Sequence, residues 1–471
     1  MYIKALKEPH AYRKKQLKTP ASFLFIFFVS GFLFFYPNVE AQLVAPSREN
    51  LIQNIIDAFS HENWEIREKA VSAAVAIRDP EVIEPLLKLA IDDPNDRVRD
   101  RAIWALGSMK AAGASAALIS ILKEKNMVIQ KRAVEALAKI GGPDAEEALI
   151  DLVLEDENEI IRHIALDSLL NQNRSDLANL LIPELENRDP NTRLNAAKAL
   201  GATRAPQMIE AFSRLIEKEK NPEIRRVAAF FLGELRNARG VVTLISLLED
   251  KSSGVRKTAV EALMKINDSR AAGPLINLLE DNHEEVRHKA IQALGDLRDP
   301  RAVPHLIEHL DDKDPHCRQS IIAALADMRD CRAVAPLIRI ALSDKDETIR
   351  REASRALLRM EDSSVTGGLI TALTDENPAI RNNAITLLER LNDPQAVKPL
   401  AEITLTHKDP NSRKLAAWAL GAFDNAVSVK LLQKALMEQE SRIRQNAVEA
   451  LESIKHPLSV EVLISALKDE N

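Results

Sequence analysis

The sequence predicts an all-α solenoid of about thirteen helical hairpins, and three observations carry that prediction. The composition is apolar but poor in rings: 46% hydrophobic residues, 4% aromatic, and 14 Gly in 471 residues. Ala, Leu, Ile, Glu, Arg and Lys dominate, which are residues that favour helices. A phrase anchored on one Arg, usually followed by Ala three places on and Leu seven places on, recurs along the chain. Its anchors are Arg67, Arg99, Gln130, Arg162, Arg193, Arg225, Arg256, Arg287, Arg318, Arg350, Arg381, Arg413 and Arg444. Every step between neighbours is 31 or 32 residues. A fixed period of that size marks stacked two-helix units.

The first 41 residues stand outside this repeat. Lys4, Lys7, Arg13, Lys14, Lys15 and Lys18 precede an uncharged apolar run, Ala21 to Tyr36, in "ASFLFIFFVSGFLFFYP". Val39 and Ala41 then take the −3 and −1 places of a cut before Gln42. A basic start, a short apolar run and a V-x-A exit read as a secretory signal peptide, and so as an exported (periplasmic or secreted) chain. The alternative is an uncleaved anchor in the cytoplasmic membrane, for which the run is shorter than the ~20 residues a spanning helix prefers. Removing residues 1–41 takes away six basic and two acidic residues and moves the formal net charge from −6 to −10. That acid excess argues against a general nucleic-acid binder. Cys317 and Cys331 bracket one predicted helix, which holds them ~20 Å apart. They read as two unpaired thiols, one of them in the core.

From "SRENLIQNIIDAF" onward each unit splits into two helical phrases. The first, such as "VTLISLLED", has apolar residues at helical spacing and ends in acid. The second, such as "GVRKTAVEALMKI", puts Val255, Ala259, Ala262, Leu263 and Ile266 on one face. Asp-Pro or Asn-Pro pairs mark the start of the second helix at Asp93, Asp189, Asn221, Asp314, Asn377 and Asp409. There the side chain accepts an orphan N–H, and Pro has none to offer. Six residues before the anchor stands an acid in ten of the thirteen copies, the exceptions being His61, Asn187 and His407. The chain ends in "SVEVLISALKDEN", an unpaired first-type helix with a charged tail.

Compare "RAAGPLINLLEDNHEEVRHKAIQALGDLRDP", from Arg270, with "RAVPHLIEHLDDKDPHCRQSIIAALADMRDC", from Arg301. These phrases resemble the short HEAT repeat of phycobiliprotein lyases, the PBS-lyase HEAT-like repeat, and the likeness covers roughly residues 47–471. The resemblance implies a right-handed α-solenoid, an armadillo-like superhelix whose second helices line a concave side. It also implies that the recurrent Arg and turn acid form a structural ladder. By the same resemblance a bilin lyase-like, chromophore-handling activity is an alternative. Export speaks against it, since bilin attachment belongs to the cytoplasm.

"HLIEH", residues 305–309, has the H-x-x-E-H order of inverzincin metalloproteases. In the repeat register, however, His305 replaces Pro274, and His309 replaces Leu278, while Leu306 and Ile307 match the core pair Leu275 and Ile276. The motif is a chance match on a repeat template. HEAT-repeat deoxyhypusine hydroxylases carry several His-Glu pairs around two irons. Here His61-Glu62 and His283-Glu284 lie seven repeats apart, too far to share a metal. The expectation is a chain without catalytic residues, bound cofactor or metal.

Function then falls to the surface. Counted from the anchor, +3, +6, +7 and +10 face inward, while +1, +2 and +5 face away. Trp104, Phe230 and Trp418 stand at +5, and rigid rings in a groove are typical anchors for a partner. Arg101, Arg132, Lys198, Arg226, Lys257, Lys289, Arg351, Arg355 and Lys414, with Lys69 and Lys131, make eleven cations at the outward positions against seven acids. That excess suits acidic segments of a partner. The sequence thus predicts an exported, non-catalytic scaffold or adaptor that holds a protein in its groove. The remaining alternative is an envelope binder of polyanions or nucleic acid.

Overall fold

The fold is set where each second helix begins. The residue four before the anchor caps the helix. Asn63, Asn95, Asn126, Asn158, Asp189, Asn221, Asp314, Asp346, Asn377 and Asp409 each accept a backbone N–H from its first turn. Pro follows five of these caps at the first helical position, where its missing N–H costs nothing. Asp93-Pro94 departs from the expectation. The cap there is Asn95, and Asp93, two residues before that cap, accepts the Asn95 N–H at 2.9 Å.

The computed structural model describes residues 47–172 and 176–467. The signal-peptide reading of residues 1–41 and the charged tail therefore lie outside the described residues. Within them 27 α-helices alternate as first and second members, from Arg48–Ala58 to Pro457–Ala466, and there is no strand. Among the described residues no helix is long and apolar enough to cross a membrane. The described residues divide into two compact units, one up to Met109 and one from Lys110 onward. In the first, the second helices Trp64–Ile77 and Asp96–Ser108 pack together. In the other, second helices pack in a row that runs through Pro222–Glu234, Ser253–Ile266, Glu284–Leu297 and Pro315–Met328 to Ser441–Ser453. First helices flank the row, many entered through a single tight turn such as Ser269–Ala271 or Cys331–Ala333. The protein is an all-α solenoid.

Small residues let the row close up. In Ser253–Ile266, Val255, Ala259, Ala262 and Leu263 are buried as the pattern predicts, and Ile266 is half-buried. At +8 several repeats carry Gly. A Cβ on Gly233 would lie 2.6 Å from the Ala262 backbone, and one on Gly421 would lie 2.8 Å from the Ala450 carbonyl oxygen. Neither space admits a side chain. Second helices end at +11 in the left-handed region, at Asn267, Arg298, Arg329 and Asn392 among others, with φ between 51° and 55°.

The anchor Arg joins repeats on both sides. Arg256 donates from Nε and Nη2 to both carboxylate oxygens of Asp281 in the next turn, at 2.6 and 2.7 Å. Its Nη1 donates to the Asp250 carbonyl oxygen in its own turn at 2.8 Å. Asp281 in turn accepts the His283 N–H at 2.8 Å and shapes the start of the following helix. The same bidentate contact links Arg67 to Asp93, Arg193 to Glu219 and Arg225 to Asp250. Arg287–Asp312 and Arg318–Asp344 are looser, at 3.7 and 3.5 Å. Where the turn acid is replaced by His407, Arg381 turns instead to Asp409 and to Ser412 Oγ.

A second ladder, which the sequence reading did not find, runs along the entry to the first helices. Asp268 caps its turn through the Arg270 N–H and holds the Arg270 guanidinium, which also donates to the Ala238 carbonyl oxygen one repeat back at 2.8 Å. Asp299–Arg301 reaches Ser269 in the same way, and Asp330–Arg332 reaches Pro300.

Two predictions follow from these ladders. Arg256→Ala strands the largely buried Asp281 carboxylate and is expected to cost about 2–4 kcal/mol in urea denaturation. Adding Asp281→Asn should recover part of that loss, because the orphaned charge is then gone. The second concerns acid. The Arg270 side chain and backbone N–H lower Asp268 to about 2, so its folded value lies below its unfolded one. Its stabilisation is complete above the ordinary Asp value of about 4 and is lost as pH falls toward 2. Asp268→Asn should therefore melt below the wild type at pH 5, and thermal scans should converge as pH approaches 2.

Candidate binding face

The +5 rings sit in three different environments. Trp104 is half-buried, because the Arg101 guanidinium lies 4.1 Å from its ring centroid. Arg101 also points both Nε and Nη2 at Ser72 Oγ, 3.4 and 3.3 Å away. The expected exposure of Trp104 is thus corrected: this ring and its cation are packed on each other within the helix row. Phe230 is 45% exposed. It meets Phe231 edge to face at 5.2 Å, and the Lys265 ammonium stands 4.8 Å above it. Lys265 is itself paired with Glu234. Trp418 is the most open, 62% exposed on the helix Pro410–Ala422. It forms one wall of an open hollow of about 400 Å³ whose other walls include Glu389, Asp424, Ser453 and Lys455.

Most of the candidate cations have carboxylate neighbours. Arg226 holds Glu223 at 2.6 Å, Lys257 holds Glu285 at 2.6 Å, and Arg132 holds Glu135 at 2.8 Å. Arg355 pairs with Glu352 at 2.5 Å, and Arg351 with Glu347. Lys414 and Lys289 stand 3.6 and 3.9 Å from Glu449 and Glu261. Lys198 is exposed. The Arg226 contact holds Glu223 below the usual carboxylate range. Counting only +1, +2 and +5 overlooked Glu223, Glu285 and Glu347, which stand in the first turn of their helices. The spacing rule for helical ion pairs, three or four residues apart, was the signal available for two of them. The face is a mosaic of paired charges, each exposed pair worth at most ~1 kcal/mol and open to exchange with a partner.

Other candidates resolve into structure. His309 caps the end of its helix, and its Nδ1 lies 2.8 Å from the His305 carbonyl oxygen. His61 Nδ1 accepts the Asn63 N–H, and His283 is itself a helix cap. Among the described residues no three His, Cys, Asp or Glu side chains are grouped to hold a metal. Cys317 is buried and Cys331 exposed, both free, and burial with Asp314 nearby pushes the Cys317 thiol up to about 12. A second hollow of about 400 Å³ lies beside Ile182, Leu185 and Leu215, but its Arg193 and Glu219 are already bound to each other.

A solenoid of capped two-helix units with a recurrent Arg and turn acid is a helical-repeat protein, and comparison identifies the kind. The chain matches HEAT repeats over residues 42–107, 83–170, 146–227, 209–283, 272–358, 334–410, 366–451 and 397–471. It belongs to the HEAT-repeat family. It is 23% identical over 198 residues to the uncharacterized phycocyanin operon protein Z of Pseudanabaena tenuis (strain PCC 7409), covering 40% of this chain and 97% of that one. Among solved structures it is similar to the complex of CpcE and CpcF of phycocyanin lyase from Nostoc sp. PCC7120, at 23% identity and a TM-score of 0.29, covering 55% and 94% of the two chains. It is also similar to a chain of the Kap95p–RanGDP complex, at 14% identity and a TM-score of 0.42, covering 96% and 72%.

The different burial of the rings has a measurable consequence. Trp104→Ala removes a packed ring and is expected to cost about 2–3 kcal/mol in urea denaturation. Trp418→Ala removes a ring mostly in solvent and should stay within about 0.5–1 kcal/mol of wild type.

Proposed function

We propose that this chain is a non-catalytic scaffold that holds a protein partner on the outward face of its second helices. The observation that carries the reading is Trp418, a large ring 62% exposed on a rigid helix beside an open hollow. Phe230, 45% exposed in the same position of another repeat, supports it. Rigid aromatics lose little freedom on binding and are the residues that concentrate interface energy. Membership of the HEAT family supports it as well, since stacked repeats present one long continuous surface. The exposed ion pairs along the row let acidic segments of the partner displace local carboxylates. Export through residues 1–41 is part of the proposal and rests on the basic, apolar and V-x-A sequence alone.

A lyase-like, chromophore-handling role is the second reading. It is favoured by the likeness to a protein named for a phycocyanin operon, which spans nearly all of that relative. A coloured adduct formed with bilin and an apo-phycobiliprotein would select it.

The test is affinity capture with the wild type and with a Phe230→Ala, Trp418→Ala variant of matched helicity. Trp104 is left in place because it packs within the helix row. A protein retained by the wild type and lost by the variant is the expected result. Equal retention by both would overturn the assignment of the face.

A further inference from the structure

Three aromatic rings on the second helices carry a cation from this same chain. Arg97 stands 5.5 Å from the Trp64 ring centroid, Arg101 4.1 Å from Trp104, and Lys265 4.8 Å from Phe230. Among the described residues no Lys or Arg covers Trp418, although that ring is the most exposed of the four.

The repeat register explains why. Phe230 and Trp418 both stand five residues after their anchors, Arg225 and Arg413. Their surroundings are built alike. Gly233 and Gly421, both at +8, press on Ala262 and Ala450, both at +6 of the next repeat. The cation over Phe230 comes from +9 of the next repeat, Lys265, whereas the residue at that place beyond Trp418 is Ser453. The cation over Trp104 comes from +2 of its own helix, Arg101, and the corresponding residue beside Trp418 is Leu415. Both internal sources of positive charge are therefore missing in one repeat. The hollow opens there, with Ser453 and Trp418 on its walls. Glu389 and Asp424 add two carboxylates against the single ammonium of Lys455, and neither acid makes an ion pair among the described residues.

We propose that this hollow receives an arginine side chain of the protein partner, stacked on the Trp418 indole with its N–H donors turned toward Glu389 and Asp424. The assignment rests on the preceding reading that the face binds protein, and it names the group that is bound. Charge complementarity selects a cation, because the ring face is negative and the two carboxylates are unpaired. Arginine is selected over lysine because Trp64 and Trp104 are both covered by a planar guanidinium, which stacks on an indole and keeps its edge donors free.

The experiment needs no partner. The full chain, labelled with 5-fluorotryptophan, gives one ¹⁹F signal for each of its 3 Trp, assigned through Trp418→Phe. It is titrated with the blocked tripeptide Gly-Arg-Gly and with its neutral citrulline analogue. The Trp418 signal should move with the arginine peptide and respond roughly tenfold more weakly to citrulline, while the other two signals stay still. Ser453→Lys restores the cation that Lys265 provides over Phe230. It should move the Trp418 signal without ligand and abolish the response to peptide. Glu389→Gln with Asp424→Asn should weaken that response at unchanged helicity. No response in the wild type, an equal response to citrulline, or an undiminished response in Ser453→Lys would each overturn the assignment. Such a failure bears on arginine alone and leaves the scaffold reading to be decided by the capture experiment.

Discussion

The double engagement of the anchor guanidinium, repeated along the chain, is the contact on which the rest of this fold depends. A two-helix unit of about 31 residues cannot bury its apolar face alone, so stability comes from stacking. Stacking by apolar contact is tolerant of sliding, whereas a bidentate Arg–carboxylate pair is not. Where the pattern is complete, as at Arg193, Arg225 and Arg256, the anchor Arg fixes its own turn through a backbone carbonyl and the next turn through a carboxylate. That carboxylate then accepts the N–H two residues on, which belongs to the cap residue of the next helix. The interaction therefore passes from helix start to helix start without a gap in the best-formed stretch, from Arg193 through Asp281. Gln130 marks the limit of substitution. It keeps a carbonyl contact, to Leu122, but brings no charge to the next acid.

Much of this was legible in the sequence because a repeat states each rule thirteen times. The Arg, the acid six before it and the Asp-Pro or Asn-Pro starts all survive as positions in a register. The exception at Asp93-Pro94 shows what a dipeptide lacks. The cap is the residue four before the anchor whatever precedes Pro, and in that repeat it is Asn95. The second ladder was hidden for a different reason. Asp268 and Arg270 are neighbours, and nothing in their spacing says that the guanidinium continues to a carbonyl one repeat back.

The candidate face was legible in outline but not in charge. Helical periodicity placed Trp418 and Phe230 outward, and both are. It also placed Trp104 outward, but Arg101 three residues earlier on the same helix folds over that ring and half-buries it. The expected cation excess has a related flaw. A cation at +1 lies one turn from first-turn residues as well as from +5, so acids outside the counted positions answer it. Periodicity gives a direction for each Cβ, whereas long side chains choose partners on a scale of one helical turn.

Departures from an internal consensus differ in what they leave behind, and that difference separates chance from function in a repeat protein. The histidines of "HLIEH" depart from Pro274 and Leu278, yet His309 finds a carbonyl in its own helix and Leu306 stays buried. The departure is absorbed where it occurs. At Ser453 the substitution removes a cation that the preceding repeat's ring is placed to receive, and no neighbour among the described residues supplies another. A ring, an opening and two unpaired carboxylates remain together in one place. Because the ladders on the turn side hold the register, such a loss can persist on the outward face without loosening the stack. A solenoid can then carry a binding site as the one repeat whose surface is left incomplete.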